Sequence, residues 1–360
     1  MALFFYKEKN KDIRAAAYLR LSMGELIDRK TSGIIKGIAV ILMVFHHTLG
    51  FQDWLIDGIT LIGITNECSM IFARATKICV ALFAFLTGWQ YALHRDKSFK
   101  YSIRKICTIL LNYWVTFAVV LLFAVLICSY RPSIALIGYE GLLLYTPILM
   151  FSWYVVFYIG MMLVLPLLHK LQNNWGGVLP YSIILIGWFI VYKISFVWDY
   201  HNILYNFRYY TLVMIEGYFL ANKHFLSKFC DRIKKYKRLL SLFLLGCIVG
   251  CQCFISEFSI LNAGLITVPV FVLVINLSGI KHNSKITNFL SFFGKHSFNI
   301  WMLHALFFSK ITREILQPIA YFSGHPLVSA VTVLFLSLIA ALLLQPVQKF
   351  ILGIYNVILR

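Results

Sequence analysis

The stretch Ile34-Ile-Lys36-Gly-Ile-Ala-Val-Ile-Leu-Met-Val-Phe-His46-His47 decides how the rest of the chain is read. It is apolar enough to open a membrane span, yet it begins beside a lysine and closes on two adjacent histidines. On a helix, the offset from Lys36 to His47 amounts to three turns plus about 20°, so both side chains share a face, separated by a rise of about 16 Å. His46 points about 100° away from that face. A cation at one mouth and an imidazole toward the far end can therefore line a single path. The same residues also fit a plainer role, a topogenic lysine and two interfacial histidines.

Composition extends this reading to the whole chain. Of 360 residues, 60% are hydrophobic and only 13% charged, against about 45–50% and about 25% in soluble domains. An ordinary soluble enzyme is excluded on that ground, and the apolar residues suffice for roughly ten spans of about 20 residues each. The 31 Phe, 20 Tyr and 8 Trp suit a protein with aromatic interfacial belts. Apolar runs place the first five spans at 34–51, 71–93, 106–129, 142–168 and 179–197, and the last five at 204–220, 239–255, 260–277, 298–316 and 326–346. The expected fold is all-α and polytopic, with segment 1–33 ahead of a transmembrane domain over 34–346 and a tail over 347–360.

Charge orients these spans. The net charge is +19, with 33 Lys+Arg against 14 Asp+Glu. If the N-terminus is cytoplasmic, 26 of the 33 cations fall in inside segments and the other seven lie outside or within spans. That is a strong positive-inside pattern, and merging or dropping one helix would put part of the excess on the wrong side. Both termini are expected in the cytoplasm. The run Arg232-Ile-Lys-Lys-Tyr-Lys-Arg238 is then a topogenic loop touching anionic membrane lipid, not a nucleic-acid site. No cleavable signal peptide is expected before a retained first helix, and translation starts at Met1 or Met23. The eight cysteines show no zinc spacing, so neither a metal nor a disulfide is expected. No internal repeat or low-complexity linker is evident.

The motifs, in order, resemble those of the acyltransferase-3 family, membrane-bound bacterial O-acyltransferases. Lys36-x10-His47 resembles the family's opening basic residue and histidine. Phe83-Ala-Phe-Leu-Thr-Gly88-Trp is similar to its aromatic "F-x-x-S-G-F" stretch, and Lys100-x3-Arg104-Lys105 to the basic cluster that follows. Ser152-Trp153-Tyr154 is similar to its "W-Y/F" segment, and Pro166 falls where members often carry a proline. Residues 293–304, from Phe293-Gly294-Lys295-His296-Ser297 to Met302-Leu303-His304, resemble "G-x-x-S-x-x-I-Y-x-x-H". The resemblance spans about residues 33–346. The chain departs from the family in Lys36, where arginine is commoner, and in Asn112, where many members have proline; no soluble domain is appended. Lysine is a point charge and offers no bidentate fork to a phosphate.

The resemblance implies a bacterial inner-membrane enzyme that moves an acetyl group from cytoplasmic acetyl-coenzyme A to a hydroxyl of a cell-envelope glycan or glycolipid. Capsule, exopolysaccharide, lipopolysaccharide or a lipid-linked repeat unit is the implied acceptor class. It puts the catalytic role on His47 as general base or transient acyl carrier; the sequence does not choose between these routes. Lys36, Lys100, Arg104 and Lys105 would hold the donor's phosphates. His46 is the neighbour of the catalytic position, and Trp153 suits packing or an interface more than chemistry. Ser297 and His304, seven residues apart, share nearly one helix face and read equally as a polar pocket wall or an interhelical hydrogen bond. Glu216 is an intramembrane carboxylate, by default a functional suspect, but its nearness to the 221–238 basic loop favours an ion pair. A transporter or flippase of glycan intermediates is the competing function, and such folds often show paired halves.

Overall fold

A computed structural model describes residues 27–143, 148–175, 182–183, 185–190, 193, 203–223, 237–254, 264–278 and 284–358. All regular structure among them is helical. In chain order the helices are α1 (Arg29–Gly50), α2 (Asn66–Thr76), α3 (Ile78–Leu93), α4 (Phe99–Ile127), α5 (Ile134–Leu143) and α6 (Trp153–Trp175). They continue with α7 (Ile203–Lys223), α8 (Lys237–Phe254), α9 (Thr267–Leu277), α10 (Lys285–His304), α11 (Arg313–Ala320) and α12 (Pro326–Ile358). Five helical stretches are long and apolar enough to cross a membrane: Arg29–Gly50, Asn66–Leu93, Phe99–Ile127, Trp153–Asn174 and Pro326–Val357. Much of the fifth expected span, most of the 221–238 loop and the segment before residue 27 lie outside the described residues.

Local chemistry sets where the helices begin. The Asp28 carboxylate accepts from the Thr31 amide at 2.6 Å, so α1 starts one turn before its apolar run. Ser98 caps α4 and Ser284 caps α10 in the same way. Ser284 is the signal that the hydropathy reading passed over. The ninth span, expected over 298–316, is instead α10, which ends at His304 and is followed by a 3-10 turn and the short α11. Its first half, with Lys285, Thr287, Asn288 and Ser291, is too polar for an apolar run. The fourth span likewise starts at Trp153 and not at 142, after turns at 148–152. The last helix continues through Pro346 to Ile358, where 326–346 was expected. The second span is broken at Lys77 into α2 and α3.

Two tight crossings organise the core. α1 and α10 run parallel: Lys30 Nζ donates to Asn288 Oδ1 at 2.9 Å near their starts, and His47 meets His304 at their ends. Between these points the backbones touch. A Cβ on Gly37 would lie 1.9 Å from the Leu290 carbonyl oxygen, and one on Gly294 1.9 Å from that of Gly33. Gly33-x3-Gly37 is thus a small-residue face of the type that brings membrane helices into backbone contact. α3 and α7 meet in the same way, with the Gly88 position 1.8 Å from the Met214 carbonyl oxygen. Ile35, Ala39, Val40 and Met43 of α1 are fully buried, so α1 lies at the centre of the bundle.

Candidate active site

His47 sits near the end of α1, where its ring is held between aromatic side chains. Phe151, just ahead of α6, stacks on it at 3.9 Å between centroids with 15° between planes. Phe51, Trp54 and Phe308 complete the surround at about 6 Å. Trp54 is fixed by its backbone: the Gln317 side-chain amide donates to the Trp54 carbonyl at 3.0 Å and to that of Phe307 at 2.8 Å, while its oxygen accepts from the Ile56 amide. The fully buried Gln317 therefore clamps the segment after α1 against the turn after α10.

Hydrogen bonds assign the protons. His304 Nδ1 lies 2.5 Å from the Trp301 carbonyl oxygen and 3.2 Å from that of Ile300. A carbonyl only accepts, so Nδ1 carries the hydrogen and Nε2 of the neutral ring is an acceptor. His47 Nδ1 is 2.9 Å from that Nε2, so His47 Nδ1 is the donor. The tautomer that remains leaves the Nε2 lone pair of His47 open, and no described residue bonds it. An imidazole with one nitrogen anchored and the other bare is arranged to take a proton.

Beside His47 is a cavity of about 110 Å³ lined by Met43, His46, His47, Lys77, Cys79, Val80, Phe151, Trp153, Tyr210 and Trp301. Its wall is mostly apolar, with Lys77 its one ammonium.

At the other end of α1, Lys36 Nζ donates to Gln90 Oε1 at 3.5 Å, and the Gln90 amide donates to Ser32 Oγ at 2.5 Å. Lys105 of α4 lies close enough for its charge to act on Lys36, and its ammonium stands over the Tyr101 ring at 5.5 Å. Arg104 is exposed nearby and acts on Asp96, a carboxyl held below the usual carboxylate range by hydrogen bonds from Ser98. Lys100 is exposed one turn before Arg104 on the same helix. Lys105 is thus the cation placed beside Lys36, with Arg104 and Lys100 on the same turn or the turn before it in α4.

Residues 32–345 match the family model described as an acyltransferase domain, of the acyltransferase-3 type. The chain belongs to the acyltransferase-3 family. Neither a curated protein nor a solved structure matches it. The histidine pair of this membrane acyltransferase is thus built from the two ends of the matched region.

Of the remaining candidates, His46 also lines the cavity, its ring 4.9 Å from that of His47 between centroids, while its Nδ1 bonds the Ala73 carbonyl at 2.8 Å and Thr76 Oγ1 at 3.2 Å. That fastens α1 to α2. Trp153 lines the cavity, stacked on Tyr210 at 5.9 Å. Ser297 is buried but makes no side-chain hydrogen bond among the described residues, whereas His304 of the same helix reaches His47. Glu216 in α7 has its Oε2 buried with no hydrogen-bond partner among the described residues.

Sequence reasoning missed Phe151, Phe308, Trp54 and Lys77. Of the cavity's further lining, Trp301 had a signal: it lies three residues before His304, hence on the same helical face.

For this acyltransferase, His304 is expected to act as a positioning residue. His304→Leu removes the acceptor that selects the His47 tautomer, and kcat should fall about 10²-fold, the lower end of acid–base contributions. His304→Gln keeps an acceptor oxygen and should recover part of that loss. Steady-state kinetics on both variants check this; a KM for the donor that changes by more than about twofold would point to a structural role instead.

Proposed function

We propose that the chain transfers an acetyl group from acetyl-coenzyme A to a hydroxyl of a cell-envelope glycan or glycolipid, with His47 as general base. The observation that carries this reading is the His47–His304 pair, which leaves His47 Nε2 bare beside a largely apolar cavity. In the reaction the acceptor oxygen attacks the thioester carbonyl carbon as Nε2 takes its proton. The tetrahedral adduct then collapses, the C–S bond breaks, and the departing thiolate recovers the proton from the imidazolium. Lys77 in the cavity wall is suited to offset charge on the adduct's oxygen. A transient acyl group on His47 is the second route that the same open nitrogen allows.

The donor's phosphates are assigned to Lys36, Lys105, Arg104 and Lys100, and its pantetheine arm to the face of α1 leading toward His47, where the fully buried Val40 and Met43 have to move aside to admit it. The helix rise between Lys36 and His47, about 16 Å, suits that arm. The 26 cations of the expected inside segments favour placing this mouth in the bacterial cytoplasm and both termini with it. The parallel pairing of α1 with α10 supports the ten-span reading, because it needs an odd number of crossings between them, and that reading has seven.

Incubating membranes with radiolabelled acetyl-coenzyme A tests the function. Label should appear in the envelope glycan, and mass spectrometry should show a gain of one acetyl per repeat unit. Acceptor movement without label transfer would overturn it in favour of a transporter. For the donor site, Lys36→Met with Lys105→Met should raise the KM for acetyl-coenzyme A about tenfold at low salt while kcat holds, since binding lost uniformly appears in KM. Repeating the titration in high salt should shrink the difference, because exposed charge pairs are screened.

A further inference from the structure

A second cavity, of about 210 Å³, lies between α4, α10 and α12. Its polar lining is Asn112, Lys295, His296, Gln345, Gln348 and Lys349, with Asn299 behind them. The floor is rigid: Asn299 and Gln348 exchange hydrogen bonds at 2.7 and 2.9 Å, and the Gln348 amide also donates to Thr116 Oγ1 and the Asn112 carbonyl at 3.2 Å each.

The charge is one-sided. None of the three helices contains an Asp or Glu, and between residue 257 and the C-terminus the sequence has a single acid, Glu314. Lys295 and Lys349 thus converge on a polar cavity that offers no counter-charge among its lining residues. His296, 4% exposed, has its Nδ1 buried without a partner among the described residues. A buried polar atom left open calls for a partner, and a group supplied from outside is one that can provide it. Two ammonium groups, an imidazole and a side-chain amide together match the oxygens of a phosphate.

The surroundings indicate what carries that phosphate. Phe292 packs edge-on against His296 at 4.9 Å and is 42% exposed. Leu352 lines the cavity, and Leu342, one turn before Gln345 on α12, is 39% exposed. Apolar surface of this kind, on helices of a membrane protein, faces acyl chains. We infer that this cavity holds the phosphate of an anionic membrane lipid, with Lys295 and Lys349 as its cations and His296 and Gln345 as its hydrogen-bonding partners. None of the residues lining it belongs to the cation cluster at Lys36, Lys100, Arg104 and Lys105. It rests on the membrane reading of the chain and not on acyl transfer.

The test uses the full chain purified in detergent and reconstituted in phosphatidylcholine nanodiscs with or without phosphatidylglycerol. Lipid retained after detergent washing is read by native mass spectrometry. The wild type should keep one phosphatidylglycerol in preference to phosphatidylcholine. Lys295→Gln with Lys349→Gln should weaken that retention about thirtyfold, from the typical contribution of two lysines at a lipid surface. Lys295→Arg with Lys349→Arg should preserve it, which separates lost charge from a damaged fold. Equal retention by the wild type and the glutamine variant would overturn the proposal. So would inorganic phosphate or pyrophosphate displacing the lipid at millimolar concentration, since the cavity would then hold a soluble anion.

Discussion

His47→Ala and His47→Gln should each lower acyl transfer by about 10³-fold, within the range of a lost general base, while the protein still inserts and melts as the wild type does. The reason is geometric. His47 Nδ1 is committed to His304 at 2.9 Å, and Nε2 is the only imidazole nitrogen of the pair left to act on a substrate. Alanine removes it; glutamine keeps a polar group of similar reach but no nitrogen that can cycle a proton. Alanine also loses one interhelical hydrogen bond, which a glutamine amide can still donate; it is worth about 1 kcal/mol or less between membrane helices, too little to unfold the bundle. The measurement is transfer of labelled acetyl to glycan in membranes matched for protein content, with coenzyme A binding followed in parallel. Full activity in a well-expressed His47→Gln protein would sink the assignment of the base. Lost activity with lost donor binding would move His47 from the chemistry to the donor site.

The second large effect is on stability. Gly37→Ala should cost about 3 kcal/mol, the upper part of the usual range for overpacking, and lower the melting temperature in detergent by about 10 °C. A methyl at Gly37 would sit 1.9 Å from the Leu290 carbonyl oxygen, and neither partner is a flexible side chain that can turn aside. The helices must separate, which carries His47 away from His304, so activity should fall along with the melting point. Gly246→Ala in α8 is the control. Nothing lies within 4 Å of its Cβ position, and helix propensity alone predicts a gain of about 1 kcal/mol or less. If Gly37→Ala melts with the wild type, the close crossing of α1 and α10 is wrong.

These two expectations also separate what the sequence revealed from what it hid. The first helix was legible because its apolar run, its flanking cations and the 11-residue offset from Lys36 to His47 all obey one helical period. His46 was legible as well: its angle off that face sent it to Ala73 and Thr76. The ninth span was not. Lys285, Asn288, Lys295 and His296 depress the hydropathy of α10, and only its packing against the Gly33-x3-Gly37 face explains why a polar helix belongs in the bundle's centre. The aromatic surround of His47 was hidden for a different reason. Phe51, Phe151 and Phe308 come from three distant segments, and no local period links them; each looks like any other phenylalanine among 31. His304 stood between these cases: its motif marked it as polar, but only the fold could set it against His47.

The parallel union of α1 and α10 has a consequence for how the protein is made. The two histidines are separated by 257 residues, an interval that takes about 10–50 s to synthesise at ordinary elongation rates. Throughout that time the first helix resides in the bilayer with its glycine face bare and Lys36 half-sheltered. It therefore depends on the insertion machinery or a provisional helix neighbour until its true mate emerges. No nascent fragment shorter than about residue 304 can unite the pair. Premature release would then leave an inert chain displaying an unmated backbone groove, a form suited to recognition by membrane proteases.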